Sequence, residues 1–147
     1  MRSLHDTAVL NEFTTRINAL KPDAPRQWGK MTVAQMMAHC SAALENNMAT
    51  GNQKQGLIGW LIGGMIKKKV VSDQPFKQGS PTAPAFIIKD ERDFKKEQQR
   101  LVSLVTRLST GGPTPDGVHM FFGKMSSDEW NTLNYKHLDH HLRQFGV

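Results

Sequence analysis

Apolar residues recur at three- and four-residue intervals through four stretches of the chain, the spacing of helices with one buried face. Leu10, Phe13, Ile17 and Leu20 mark the first and predict a helix over roughly residues 5 to 20. Pro22 and Pro25 end it and open a turn from Lys21 to Arg26. Val33, Met36, Met37, Cys40, Leu44 and Met48 form the main stripe of a second helix. Thr32 with Gln35 three residues on matches a capping box, and Gly51 is the expected stop. The other side of this helix carries Ala38, Ala42 and Ala43 beside His39, so burial on two sides is expected. Phe94, Leu101, Leu104, Val105 and Leu108 mark a third long helix from about Asp90 to Gly111-Gly112. Trp130, Leu133, Leu138, Leu142 and Phe145 mark the last, over Ser127 to Phe145. Ser126 or Ser127 is its expected N-cap, Asp128-Glu129 its acidic first turn, and Gly146 its stop.

Between these stretches lies Gly56 to Ile66, rich in Leu, Ile and Gly, followed by Lys67-Lys68-Lys69. It predicts an accessory helix ending near Val71, packed on the domain with its lysines exposed. A contact with anionic lipid or with a second copy in a homodimer is the alternative use. Ser72 to Lys89, with Pro75, Pro81 and Pro84, reads as a long irregular crossover in which Phe86-Ile87-Ile88 forms a short extended piece. A second long loop, Pro113 to Met125, contains His119 and Phe121-Phe122. Strand signals are nearly absent. The expected architecture is all-α: a four-helix bundle in a single domain, 1–147, with a crossover that carries the short accessory helix.

A chain of 147 residues suits one domain with a full core. No apolar run approaches the roughly 20 residues of a membrane span. Met1 to Asp6 lacks the apolar stretch of a signal peptide, and one cysteine, Cys40, fits a reducing compartment, so a cytoplasmic location is expected. The net charge is +6, from 19 basic and 13 acidic residues. These are scattered, and no recognition motif accompanies the single lysine run, so nucleic acid is not an expected partner. A basic surface suits a carboxylated small-molecule substrate or cosubstrate.

The candidate chemistry sits in the last helix. His137 and His141 are four residues apart, with Cβ atoms roughly 6 Å from one another in a helix. At about 100° per residue both fall in the middle of the apolar stripe, as does Asn134, whereas Lys136, Asp139 and Arg143 form the solvated face and His140 the border. Buried polar groups need partners. A shared metal ion satisfies two inward imidazoles at once; separate hydrogen bonds to other helices are the plainer reading. The residues alone leave His39, His119, His5, Asp139 and Cys40 as rivals for a third ligand. His119 reads as a loop or cap residue, Cys40 as a small buried one, and Asp139 and His140 as pointing away from the pair.

Trp28-Gly29-Lys30-Met31-Thr32-Val33-Ala34-Gln35-Met36-Met37-Ala38-His39-Cys40 resembles the second-helix motif of the DinB/YfiT-like proteins. Phe121-Phe122-Gly123-Lys124, Asp128-Glu129-Trp130 and the run Tyr135 to Phe145 resemble the end of that fold. With Asp73 to Pro84 in the crossover, the combination resembles the DUF1569 branch over nearly the whole chain. The resemblance implies a four-helix bundle with a metal held by one histidine of the second helix and two of the last, here His39, His137 and His141.

Three neutral imidazoles leave a coordination position open, the mark of a catalytic site, and zinc, nickel, manganese and iron all accept such ligands. The wider family is associated with metal-dependent transfer of low-molecular-weight thiols and with isomerase or hydrolase activity. The expected function is a metal-dependent thiol S-transferase or related hydrolase, with Lys30, Lys77 or Lys124 holding carboxylates of the thiol. His140 and Tyr135 are weak general-base candidates. The alternative is a non-catalytic metal- or ligand-binding stress or assembly protein.

Overall fold

The computed structural model describes residues 2–49, 53–112 and 114–147. It is mostly helical: α1 (Thr7–Ala19), α2 (Val33–Met48), α3 (Leu57–Val70), α4 (Phe94–Thr110) and α5 (Ser127–Gln144), with one two-stranded sheet between α4 and α5. The helix starts follow from local chemistry. The side chains of Asp6 and Asp93 accept from the backbone N–H of Ala8 and Lys96 at the starts of α1 and α4. Thr32 with Gln35, and Ser126 with Glu129, form complete capping boxes at α2 and α5. The C-cap of α2 is Ala49, and the expected stop at Gly51 lies outside the described residues.

Helix α4 packs on α1 and α2, and α2 packs on α5. Their facing stripes make the main core, with Phe13, Ile17, Met36, Met37, Leu101, Val105, Leu138 and Leu142 fully buried. Removing such side chains from water is the main stabilising term. Met125, Trp130 and Leu133 form a smaller cluster, covered by Val70, Val71, Phe76 and Phe122.

Two local expectations are corrected. The loop before α5 contains an antiparallel hairpin, β1 (Gly117–His119) and β2 (Gly123–Met125), with Gly117 opposite Met125. Gly123 sits at φ 75°, a conformation that glycine enters without a Cβ clash, and this allows the tight return. The crossover is not extended at Phe86: Pro84–Phe86 forms one 3-10 turn, opened by the fixed φ of Pro84.

Helix α3 docks on the molecule through one narrow face. A Cβ on Gly59 or Gly63 would lie 2.5 or 2.0 Å from the Phe121 carbonyl oxygen, so only glycine permits this approach. Lys67 donates to the Lys124 carbonyl and pairs with Glu129, while Lys68 and Lys69 are exposed as expected. Most of the apolar side chains of α3 are exposed too, as the alternative reading of this helix as a contact surface requires and the packed reading does not.

Candidate metal centre

Helix α2 supplies His39 and α5 supplies His137 and His141. The 3.6-residue repeat stacks the last two on one face, and the packing of α2 on α5 brings the third to them. The rings form a nearly equilateral triangle: centroids are 4.9 Å apart for His39 and His137, 4.7 Å for His39 and His141, and 4.7 Å for His137 and His141. One nitrogen from each of the three lies within 4.8 Å of the others. His39 lies off the main stripe of α2 but is buried with Ala38 and Ala43, because this helix is covered on two sides.

The outer contacts assign the inner nitrogens. His39 Nδ1 lies 2.8 Å from the Phe86 carbonyl oxygen, which only accepts, so Nδ1 carries the proton and Nε2 keeps its lone pair. His141 Nδ1 lies 2.9 Å from Gln144 Oε1. Gln144 Nε2 donates to the Trp28 carbonyl at 2.8 Å, which orients the amide and makes Oε1 the acceptor for His141. Both histidines therefore present Nε2 inward. Holding a ligand imidazole by its other nitrogen is the usual support of a metal site.

Burial lowers the pKa of all three imidazoles. It is the largest cause for His39, opposed by the Phe86 bond. His137 is pushed well below its ordinary value by burial and then by His141, His39 and His140. His141 is lowered to about 3 by burial, with His39 adding to the shift. Neutral imidazole is the ligating form. His39 Nε2 and His137 Nε2 meet at 3.0 Å. An ion roughly 2.1 Å from each nitrogen sets neighbouring nitrogens roughly 3 to 3.5 Å apart, so this pair already has the spacing. The donor set thus fits a divalent ion of the zinc, nickel, manganese or iron type.

The rival ligands are engaged elsewhere. His119 Nδ1 accepts from the backbone N–H of Phe121 and Phe122, the cap role expected of it. His5 Nδ1 lies 3.4 Å from the Ser109 carbonyl oxygen. Asp139 pairs with Arg16 and Arg143. Cys40 is buried with its sulfur 3.7 Å from Met36 Sδ, and burial pushes its thiol well up. The general-base candidates divide. Tyr135 stands edge-on to Phe13 and its hydroxyl accepts from Arg2, so the structure does not bring it to the triad. His140 is half-buried, its ring 5.1 Å from that of His141 and between Trp28 and Phe76 at 5.3 and 5.9 Å. It borders the centre more closely than its wheel position suggested.

Lys136, assigned from the wheel to the solvated face, is partly buried. Its ammonium donates to the carbonyls of Val70 and Ser72 and lies 4.9 Å from the centre of the Phe76 ring, tying the crossover to α5. Gln144, the Phe86 carbonyl and Asn47 were not foreseen either. Asn47 Nδ2 donates to Asn134 Oδ1 at 2.7 Å inside the α2–α5 interface. The Gln144 signal was available, three residues after His141 on the same helical face. The Phe86 carbonyl had none, because backbone chemistry is the same at every residue. Lys30, Lys77 and Lys124 are all exposed. A surface depression lined by α1, the turn after it and α4 shares no residue with the histidine centre.

Comparison with curated proteins and with solved structures finds no match. The model of one family, described as a protein of unknown function (DUF1569), matches residues 1–146, and the chain therefore belongs to the DUF1569 family.

Proposed function

We propose that this protein is a divalent-metal-dependent enzyme that joins a low-molecular-weight thiol, or water, to a small electrophile, built on a DinB/YfiT-like four-helix bundle of α1, α2, α4 and α5. One observation supports the reading: three neutral imidazoles converge, and the outer nitrogens of two of them, His39 and His141, are held by protein. When bound, a divalent ion supplies Lewis acidity and lowers the pKa of a thiol or water held in its open position.

The remaining roles belong to the chain. Phe86 and Gln144 keep the His39 and His141 rings from turning, so Nε2 stays aimed inward. Trp28 and Phe76 flank His140 at the edge of the centre and limit water there. His140, lowered by burial and raised by Asp139, has its ring 5.1 Å from that of His141 and is the candidate proton acceptor. Lys30 and Lys77 follow Trp28 and Phe76 in the chain and are exposed, a position from which they attract the carboxylates of an anionic thiol.

The test is elemental analysis of untagged protein refilled with zinc, nickel, manganese or iron, beside His39→Ala, His137→Ala and His141→Ala. About one ion per chain, lost in each variant, is the expected result. Retention of the ion in His39→Ala alone would break the triad, and no ion in any refilled sample would end the metalloenzyme reading. Thiol-dependent turnover of a model electrophile, abolished in His137→Ala, is expected of the loaded protein. A loaded protein inert towards several thiols and towards hydrolysis would instead be a metal-binding protein without catalysis.

A further inference from the structure

Helix α3 leaves six large apolar side chains in solvent: Leu57 at 74% exposure, Ile58 at 67%, Trp60 at 71%, Leu61 at 64%, Ile62 at 41% and Met65 at 67%. So large an exposed apolar surface on one short helix marks an interaction site. We propose that α3 seats the protein on an anionic lipid surface, with these side chains in the headgroup–acyl boundary and Lys68 and Lys69 on the lipid phosphates.

Two observations choose lipid over a second protein. The first is angular. At about 100° per residue, the apolar positions run from Trp60 through Leu57, Leu61, Met65 and Ile58 to Ile62, an arc of roughly 200°, whereas a packed partner helix covers a stripe of roughly 100°. A fluid layer wraps the whole arc. The Gly59–Gly63 docking face lies directly opposite Leu61, so the body of the protein takes the place of the polar face of an interfacial helix. The second is charge. The apolar part ends in Lys67-Lys68-Lys69, of which Lys68 and Lys69 are exposed, and the chain carries +6 overall. Lysines beside an apolar patch are attracted by anionic headgroups, and Trp60 is the residue type that settles at that boundary. No helix among the described residues is long and apolar enough to cross a membrane, so the seat is peripheral. It is also tied to α5: the Val70 carbonyl at the end of α3 accepts from Lys136, next to His137. The inference rests on this surface alone and is independent of the metal reading.

Flotation of the full-length protein with vesicles tests it. Binding is expected with phosphatidylcholine–phosphatidylglycerol vesicles and is expected to be much weaker with pure phosphatidylcholine. Replacing Lys68 and Lys69 by Gln should weaken binding about 30-fold, from the usual contribution of each lysine near an anionic surface. Leu61→Glu should abolish it, and since Leu61 is exposed, an unchanged circular dichroism spectrum should show that the variant folds. Fluorescence should shift to the blue on vesicles in the parent and not in Trp60→Phe. The proposal is overturned if the protein stays with buffer, if Leu61→Glu floats like the parent, or if ultracentrifugation shows a dimer that Leu61→Glu splits while vesicles bind neither form.

Discussion

The histidine centre and the α3 ridge are both helical surfaces with apolar patterning, yet one is sealed and the other open. At the centre, α2 packs on α5, and several inward polar atoms are tied to a partner: His39 Nδ1 to Phe86, His141 Nδ1 to Gln144, Asn47 Nδ2 to Asn134. At the ridge, α3 touches the protein through two glycines and, at its end, Lys67 and Val70, and turns its other large side chains outward. Hydropathy does not separate the two regions, for the open helix is the more apolar. What separates them is whether another segment arrives to cover the surface. In the centre, covering a polar group without a partner would be costly, so the covering segments also bring acceptors. At the ridge nothing polar needs a partner, and nothing covers it.

The contrast is sharpest in mutational cost. Leu101→Ala, in the main core at 0% exposure, should destabilise the protein by about 2 to 5 kcal/mol. Leu61→Ala on the ridge should stay within about 0.5 kcal/mol of the parent in the same urea titration. Equal costs would mean that α3 is covered in solution.

Acid should act on both regions. His119, at the end of β1, is lowered to about 4 by burial, and His141 in the centre to about 3 by burial and His39. In both cases the folded state binds its proton later than the unfolded chain, whose imidazoles titrate near 6.5. The unfolded state therefore holds more protons as pH falls from 6.5, and stability should decline from there towards pH 4. His119 alone should contribute roughly 3 kcal/mol by pH 4, at about 1.36 kcal/mol per pKa step. Urea melts of metal-free protein at pH 7.5, 6, 5 and 4 should show this slope. His119→Gln should remove part of it, and a flat profile would mean that these imidazoles are not buried.

The smallest effect isolates the support of the centre. Gln144→Ala leaves all three ligand residues in place but frees the His141 ring, and should weaken metal binding by about 10- to 100-fold. Competitive titration against a chelator measures it, and unchanged affinity would show that the Gln144 contact does not orient His141.

Much of this was legible before the structure. Thr32 with Gln35 and Ser126 with Glu129 announced two helix starts, and the stripes of α1, α4 and α5 named most of the main core. His137 and His141 stood out because a helix places residues four apart on one side. The hairpin was missed because three-residue strands are too short to show alternation. Lys136 was misplaced because a wheel knows one helix only, and the carbonyls of Val70 and Ser72 arrive from the crossover.

By itself the sequence determined where the helices begin and which face of each is apolar, because caps and periodicity act within a few residues. It also determined that two imidazoles would point inward from α5. His39 was named by the family resemblance, but the tertiary structure alone decided that it meets the other two imidazoles, that Phe86 and Gln144 orient the centre, and that α3 faces outward. These depend on which distant segment reaches a given surface. A side chain's partners and exposure belong to its neighbours in space, whereas its helical face belongs to its neighbours in the chain.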